Sequence, residues 1–187
     1  QTTLQIKAKV SVYSEMIGDW AMRLNAKKIV SGFGMGSNEF YKWLNHNSKV
    51  ELRPIGEIAN PLSFANIPNL VSINSALEVD LFGQVASESL NYKQVSGVGG
   101  SNDFTAGAAI SKGGISIIAM PSVTKDGKSK IVPKIQNIVT IPRADVDFFI
   151  TEFGIAEVRF KTIKERQKEL IKIAHPKHRE WLEKNCL

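Results

Sequence analysis

The sequence predicts an α/β fold in which helices flank an open, largely parallel sheet. Short apolar segments with strand character alternate with segments of helical periodicity along nearly the whole chain. One apolar run, Ile-Ser-Ile-Ile-Ala-Met at residues 115–120, is almost continuous, as in a strand that is covered on both faces. No internal repeat, low-complexity segment or linker interrupts the pattern, so residues 1–187 are predicted to form one domain.

The composition is that of an ordinary globular protein, with 43% hydrophobic and 22% charged residues among 187. The net charge of +6 and the pI of about 9.4 suit an anionic partner. The basic residues are spread out and no RNA- or DNA-binding signature accompanies them, so we expect a phosphate-bearing small molecule rather than nucleic acid.

The cysteine content and the lengths of the apolar runs bear on location. Cys186 is the only cysteine, so no internal disulfide can form, and we expect a reducing compartment, the cytoplasm or the mitochondrial matrix. No apolar run approaches the roughly 20 residues that span a membrane, and the N-terminus lacks the layout of a signal peptide. No membrane association is therefore expected.

The first predicted strand covers residues 4–14, where apolar and polar side chains alternate, and it runs directly into Glu15. Met16, Trp20 and Leu24 have the spacing of one helical face, which predicts a helix that begins immediately after Glu15. Ligands of open α/β sheets bind at the carboxyl ends of strands, so Glu15 is a candidate site residue. Its position alone favours the alternative, a carboxylate that interacts with a helix dipole.

Two further strands and a helix follow. Residues 27–36 are predicted to form a short strand that ends in glycines. Ser37 is expected to cap a helix over residues 38–44, whose aromatic side chains would form a core stripe. Residues 49–53 are predicted as the third strand, which Pro54 stops.

Prolines bound residues 60–68, which are predicted to form a loop or a short broken helix. Residues 69–85 are predicted to form two short strands. Asn74, Glu78 and Asp80 are polar side chains in this otherwise apolar run, and such groups need partners when they are buried. Hydrogen bonding to neighbouring loops explains Asn74 as well as ligand contact does, and it explains Glu78 and Asp80 better.

The stretch most suggestive of a site is Gly-Val-Gly-Gly at residues 97–100, hereafter the glycine loop. Glycine permits positive φ and close approach of another molecule, and Ser101, Asn102 and Asp103 are residue types that open helices. Such a loop points several N–H groups in one direction, which suits a phosphate or a carbonyl oxygen that becomes negative. From the glycines alone, a hairpin or a connecting turn is an equally good explanation.

The remaining predicted elements are, in order, a helix at residues 104–111 with small side chains, strands at 115–120, 128–132, 137–141 and 146–150, and helices at about 163–173 and 176–184. His175 and His178 suggest a metal or an acid–base role. Their spacing beside Pro176 in a charged tail, without any Cys/His cluster, favours a structural role, and no metal is expected.

Six separated segments together resemble the C-terminal half of the acetyl-CoA hydrolase/transferase family, the CoA-transferases that act through a glutamyl-CoA thioester. They occur in the family's order and extend almost from one end of the chain to the other. The segments are residues 13–16, 73–85, 97–104, 129–133, 146–154 and 174–179.

The resemblance implies a role for each matching position. Glu15 stands where the family has its nucleophilic glutamate, which reverses the preference for a dipole role. The amides of Gly99 and Gly100 resemble the family's donors to the oxyanion, and Asn74 matches a residue at the CoA thioester. Further CoA contacts are implied for Gly97, Ser101, Asn102, Ser129 and Lys130, whereas Asp103 and Phe104 are expected to shape the loop.

The chain departs from the family pattern at three places. The segment around Glu15 is shorter and less regular, the family's Gly-Gly-Ser-Gly-Asp-Phe has Asn102 in place of its third glycine, and the arginine of Ser-Arg-Ile-Val-Pro is Lys130. These departures bear on the expected CoA contacts and on the choice of acceptor more than on the assignment of Glu15 as the nucleophile.

The implied activity is transfer of CoA, as a substrate, between short-chain carboxylates such as acetate and a C4 acid. An acyl-CoA hydrolase using the same glutamate is the close alternative, and a catalytically silent CoA- or nucleotide-binding domain is an alternative of another class. A structural scaffold fits least well. Family enzymes have two similar α/β halves with the active site between them, so we expect this chain to be a fragment whose partner is an N-terminal CoA-transferase domain. A homo-oligomer is also compatible with the resemblance.

Overall fold

The computed structural model describes residues 10–186. The first six residues of the predicted strand at 4–14 lie outside this range. Two compact units make up the chain, Gln1–Ser63 and Phe64–Leu187.

The first unit is built on a three-stranded parallel sheet with the strand order β1-β2-β3. Its strands are β1 (Ser11–Ile17), β2 (Lys28–Gly34) and β3 (Val50–Leu52), and its helices are a short 3-10 helix (Asp19–Arg23), α1 (Asn38–Leu44), α2 (Ile55–Ile58) and the start of α3 (Pro61–Ala65). Ile17, Ile29 and Phe40 are buried at the centre of its small core. Ser37 caps α1 as predicted, because its hydroxyl accepts the N–H of Phe40 at 3.2 Å.

The structure corrects the prediction that a helix starts immediately after Glu15. β1 continues to Ile17, whose carbonyl accepts the N–H of Met35 at 2.9 Å beyond the end of β2. Gly18 is then extended, and a Cβ there would lie 2.8 Å from the carbonyl oxygen of Met35. The main-chain pairing of β1 with β2 therefore overrides the helical spacing of the side chains, and only the short 3-10 helix follows.

The second unit contains nine strands and the remaining helices among the described residues. In chain order they are β4 (Val71–Asn74), β5 (Glu78–Asp80), β6 (Val85–Ala86), β7 (Ser89–Leu90), β8 (Lys93–Gln94), α4 (Ser101–Ile110), β9 (Ile115–Ala119), β10 (Ile131–Val132), β11 (Phe148–Thr151), β12 (Gly154–Glu157), α5 (Ile163–Lys172) and α6 (Pro176–Lys184). The largest sheet has the order β12-β11-β9-β4, and β12 is its antiparallel edge. A smaller sheet has the order β10-β5-β6, and β7 pairs with β8 in a hairpin.

The core of the second unit lies between its sheets and the two C-terminal helices. Val79, Ile118, Phe149, Leu170 and Leu182 are fully buried there. α4 packs on β4 and β9, as expected from its small side chains. The predicted fold class, a largely parallel arrangement flanked by helices, is confirmed.

Some predicted elements differ from the structure. Residues 137–141 form no strand and contribute only an isolated bridge between Ile141 and Val85, because the polar groups of this segment bind neighbouring side chains. α4 begins three residues before the predicted helix at 104–111. Among the helices of residues 10–186, none combines the length and the apolarity that crossing a bilayer requires.

Candidate active site

Glu15 lies in β1, two residues before the strand ends, and is partly buried. The residue opposite it on β2 is Gly32, since the pairs before and after this position are in register. A Cβ on Gly32 would lie 2.8 Å from the carbonyl oxygen of Glu15 and 3.0 Å from Cδ1 of Ile55. The absence of a side chain at residue 32 therefore allows the strand that carries Glu15 to pack closely.

Glu51, the charged residue of β3, pairs with one cation on β2 and one just after β3. Glu51 forms ion pairs with Arg53 and Lys28, and their hydrogen bonds lower the pKa of the Glu51 carboxyl to about 2. Glu51 in turn raises the pKa of Arg53, with smaller contributions from Glu57 and from Tyr13 on β1. These cations are thus already engaged by a carboxylate of the same unit.

The glycine loop lies between β8 and α4 in the second unit, and it opens a helix as the sequence predicts. Gly97 and Gly99 are exposed, whereas Gly100 is buried and occupies the N-cap position of α4. Gly99 has a φ of +64°, a conformation that other residues adopt only with strain. Within residues 10–186, no atom other than those of its chain neighbours lies within 4 Å of a Cβ built on Gly97, so open space surrounds that position. The loop therefore presents main chain at a helix N-terminus, which is an electropositive location.

Asn74 ties the end of β4 to the first turn of α4. Its Nδ2 donates to Oγ of Ser72 at 2.9 Å, to Oγ1 of Thr105 at 3.2 Å and, more distantly, to the carbonyl oxygen of Ser101 at 3.5 Å. Thr105 also donates to the carbonyl of Ser101 at 2.8 Å. The structure thus brings together Asn74 and the residues that follow the glycine loop.

Sequence reasoning did not identify Ser72 and Thr105 as members of this group, although both are at least 96% buried. The sequence contains only a weak indication of this role, and only for Thr105. Thr105 stands four residues after Ser101, the spacing at which a helical threonine hydroxyl reaches a main-chain carbonyl.

Two polar atoms at the start of α4 lack partners within the part of the chain that the structure describes. Oγ of Ser101 and Oδ1 of Asn102 are both buried, and neither takes part in a hydrogen bond there. Leaving such atoms unpaired is costly, and they commonly mark a place that a water or a ligand fills. This observation fits a polar ligand at the glycine loop.

Ser129 and Lys130 hold main chain in place. Oγ of Ser129 donates to the carbonyl of Ile131 at 2.6 Å, and Nζ of Lys130 donates to the carbonyl of Ala76 at 2.6 Å. Partial burial lowers the pKa of Lys130. Their role as CoA contacts stays a prediction.

Glu78 and Asp80 make the loop contacts expected of them. The carboxylate of Asp80 accepts the N–H groups of Phe82 and Gln84, both at 3.0 Å, and so closes the turn between β5 and β6. Glu78 accepts Nδ2 of Asn137 at 2.6 Å. Burial raises the pKa of Glu78, the hydrogen bond from Asn137 opposes this rise, and the charge of Asp80 adds to it.

The histidines near the C-terminus make structural contacts. His175 caps α6, with its Nδ1 accepting the N–H of Lys177 at 3.3 Å, and Nε2 of His178 lies 2.9 Å from the carbonyl oxygen of Gly127. Over residues 10–186, no group of three or more His, Cys, Asp or Glu side chains has the geometry of a metal site.

Glu152, in the turn between β11 and β12, pairs with Ser122 near these histidines. Its two carboxylate oxygens accept the N–H of Ser122 at 2.9 Å and the hydroxyl of the same residue at 2.6 Å. Burial alone would raise the pKa of Glu152, but the bonds from Ser122 outweigh this effect and the net shift is downward, with a small contribution from His175.

Comparison with known proteins gives a family and several relatives. Residues 36–186 match the family described as the acetyl-CoA hydrolase/transferase C-terminal domain. The 4-hydroxybutyrate coenzyme A transferase of Clostridium kluyveri is 45% identical over 96% of this chain and 46% of its own length. The succinyl-CoA:acetate/propanoyl-CoA:succinate CoA transferase of Fasciola hepatica is 42% identical over 87% of this chain and 35% of its own length.

The chain is also similar to a solved structure. RipA from Yersinia pestis superposes with a TM-score of 0.88 at 34% identity, over 96% of this chain and 44% of RipA. The chain spans about half the length of the relatives it matches, or less. Glu15 precedes the matched family segment, whereas the glycine loop lies inside it.

Proposed function

This chain belongs to the acetyl-CoA hydrolase/transferase C-terminal domain family, and from that premise we propose that it carries part of the active site of a CoA-transferase that moves CoA between short-chain carboxylates. The observation that carries the proposal is the glycine loop at the N-terminus of α4, with Asn74 bound to the first turn of the helix. The CoA-transferase names of the relatives support it.

The chemistry begins with the carboxylate of Glu15. It attacks the carbonyl carbon of an acyl-CoA, which releases CoA thiolate and leaves a mixed anhydride. The thiolate then attacks the glutamyl carbonyl, so that the first carboxylate leaves and a glutamyl-CoA thioester remains. An acceptor carboxylate attacks this thioester and releases the thiolate again. Attack of the thiolate on the acceptor's carbonyl yields the new acyl-CoA and restores Glu15.

Each addition to a carbonyl creates an oxyanion. In the proposal, the amides of Gly99 and Gly100 donate to it, and the positive end of the α4 dipole adds to their effect. Asn74 and Gly97 contact CoA near the thioester. The buried, unpaired atoms of Ser101 and Asn102 provide polar groups for the bound substrate.

The remaining assignments are less direct. Ser129 and Lys130 are proposed to contact CoA, although both side chains now donate to main-chain carbonyls. Since the relatives are about twice as long, we propose that residues 1–187 act as one functional domain together with an N-terminal CoA-transferase domain, in a protein that can also form a homo-oligomer. The single cysteine supports a location in the cytoplasm or the mitochondrial matrix.

A hydrolase is the second candidate. The family description covers both activities, and water that attacks the same glutamyl-CoA thioester would give free CoA instead of a new acyl-CoA. The difference lies in the acceptor, because the nucleophile and the oxyanion donors are common to both reactions.

An exchange assay separates the candidates. The chain, with an N-terminal domain supplied, is incubated with acetyl-CoA and butyrate, and the CoA species are separated by chromatography. A transferase produces butyryl-CoA that depends on butyrate, whereas a hydrolase produces free CoA at the same rate without it. The Glu15→Gln variant should lose either activity and still bind CoA. Binding of CoA without turnover in the wild type would instead indicate a silent binding domain.

A further inference from the structure

The glycine loop needs to be held at its ends. In the part of the chain that the structure describes, no residue other than its chain neighbours approaches a Cβ built on Gly97, and Gly99 adopts a positive φ in an exposed segment. Main-chain donors that stabilise a developing charge act well only when they are fixed before the reaction. α4 fixes the C-terminal end of the loop. The N-terminal end depends on the residues that connect it to the hairpin of β7 and β8.

Ser96, the last residue before the loop, is held through both of its main-chain polar groups. Its N–H donates to the carbonyl oxygen of Glu88 at 3.2 Å, and its own carbonyl accepts Nε2 of Gln94 at 2.7 Å. The preceding residue, Val95, also donates its N–H to the carbonyl of Glu88, at 2.7 Å. The entry to the glycine loop is therefore bound to Glu88 directly and to Gln94.

The buried side chain of Glu88 also binds Gln94, and so supports the contact between Gln94 and Ser96. It is 5% exposed, and its Oε2 accepts Nε2 of Gln94 at 3.3 Å while its Oε1 accepts Oγ1 of Thr140 at 3.4 Å. Thr140 is itself fixed, since its Oγ1 accepts the N–H of Ser87 at 3.0 Å. A buried carboxyl group is unfavourable unless it is hydrogen-bonded. Here one bond goes to Gln94, which holds Ser96, and the other goes to Thr140, which is bound to the residue before Glu88.

We propose that Glu88 is a positioning residue for the glycine loop. It touches no reacting atom. Through its carbonyl and through Gln94 it fixes Ser96, and so it sets the direction of the Gly99 and Gly100 amides. Its effect on reaction rate rests on the proposed CoA-transferase function, whereas its effect on the order of the loop does not.

The first test measures loop order in the whole chain by backbone ¹⁵N relaxation and amide hydrogen exchange. Glu88→Ala should increase both the mobility and the exchange of residues 97–100. Gln94→Leu should do the same, and because Gln94 is exposed this variant tests the proposal even if Glu88→Ala fails to fold. Glu88→Gln keeps an oxygen that accepts from Gln94 and replaces the oxygen that accepts from Thr140 with an amide group that can donate to the Thr140 hydroxyl, so it should retain the order of the wild type.

A matched control loosens the same hairpin elsewhere. Oδ1 of Asn137 accepts the N–H of Tyr92 at the hairpin tip, at 3.2 Å. Asn137→Ala removes this bond and the bond to Glu78, so it should change the signals of the tip and of β5 and leave residues 97–100 as in the wild type. Unchanged loop order in a folded Gln94→Leu variant, or equal loosening of the loop by Asn137→Ala, would overturn the proposal.

The second test measures the rate of glutamyl-CoA formation. Glu88→Ala and Gln94→Leu should each lower this rate roughly 10- to 100-fold, less than the loss of a whole oxyanion donor, with little change in KM. The double variant should be no slower than the slower single variant, because both act through Ser96. If a variant with a more mobile glycine loop forms glutamyl-CoA at the wild-type rate, the proposed effect of Glu88 on catalysis is refuted. If the wild type forms no thioester even with an N-terminal domain supplied, the CoA-transferase function fails, and the loop measurements still decide the role of Glu88.

Discussion

At the scale of single residues, the surroundings of Glu15 depend on a residue without a side chain. Gly32 faces the main chain of Glu15 across the β1–β2 pair, and a methyl group there would meet the carbonyl oxygen of Glu15 and Cδ1 of Ile55 at 3.0 Å or less. The oxygen belongs to a paired strand and cannot swing away as a flexible side chain could. Gly32 therefore controls the position of the candidate nucleophile without touching a substrate.

Gly32→Ala should destabilise the protein by about 1–3 kcal/mol, the usual range for overpacking, because β1 must shift away from β2. Chemical denaturation followed by circular dichroism measures this change. Gly56→Ala is the matched control, since no atom lies within 4 Å of a Cβ at that position. The control should leave stability unchanged or raise it slightly. Equal stabilities of the two variants would contradict the close packing at Glu15.

Phe160 is strained and contributes little packing. It has a φ of +58°, its side chain is 92% exposed, and its ring lies 5.0 Å from the guanidinium carbon of Arg159. A bulky residue in the left-handed region is disfavoured by roughly 1–2 kcal/mol. The surrounding structure must therefore impose this conformation.

Phe160→Gly should raise the free energy of unfolding by about 0.5–1 kcal/mol, because relief of backbone strain exceeds the entropy that glycine adds to the unfolded chain. Thermal and urea unfolding give the measurement. Phe160→Ala is the informative comparison, since it removes the ring but keeps the strained Cβ, and it should not stabilise. A gain for alanine equal to that for glycine would assign the effect to the exposed ring instead of the backbone.

Local pattern identified residues whose partners are close in sequence. The cap at Ser37 was predicted because its partner, Phe40, is three residues away, and the loop contacts of Asp80 followed from its position before a turn. Lys130 was assigned only to CoA, whereas its ammonium binds the carbonyl of Ala76, 54 residues earlier in the chain. Partners so distant in sequence leave no local pattern, so sequence reasoning could not find them.

At the scale of elements, α4 connects the glycine loop to the sheet beneath it. Its small side chains let it lie close to Phe64, and a Cβ on Gly107 would come within 2.5 Å of the Cβ of Phe64. Phe64 also stacks against Phe104 with ring centroids 4.6 Å apart. Close packing of α4 therefore requires glycine at residue 107, although glycine is a poor helix former.

The Gly107→Ala variant distinguishes the effect of packing from that of helix propensity, because the two change the free energy of unfolding in opposite directions. Propensity alone predicts stabilisation by about 1 kcal/mol, whereas the contact with Phe64 predicts destabilisation by about 1–3 kcal/mol. We expect the second result in urea unfolding of the whole chain. Gly56→Ala again serves as the control for a helical glycine with open space. A more stable Gly107→Ala variant would show that α4 can move away from Phe64 at little cost.

The elements that were missed or misplaced in the prediction from sequence have two causes. β6, β7 and β8 are only two residues long, too short for an alternating pattern to be visible. Met16, Trp20 and Leu24 do have helical spacing, but the main-chain pairing of β1 with β2 keeps Met16 in a strand. In contrast, α1, α5, α6 and β9 carry strong periodicity or clear caps, and their predicted positions agree with the structure to within a residue.

At the scale of the whole molecule, the chain consists of two compact units, and the predicted site residues are divided between them. Glu15 belongs to the first unit, and Asn74, the glycine loop and the residues after it belong to the second. The six family-like segments and their order along the chain made this set of residues predictable, because the first four segments contain all of them and residues 97–104 contain most. Composition and charge are compatible with many functions, and only the combination of the six segments points to the acetyl-CoA hydrolase/transferase family.

The role of Glu15 as nucleophile is tested by the intact mass of the purified chain after incubation with acetyl-CoA, with Glu15→Gln treated in parallel and an N-terminal domain added in a second series. We expect a CoA adduct on the wild type, attached through a thioester and absent from Glu15→Gln. The N-terminal domain should be needed if the acyl site is completed by that half. An adduct of equal amount on both proteins, or none on the wild type even with the N-terminal domain present, would contradict the assignment of Glu15 as the nucleophile.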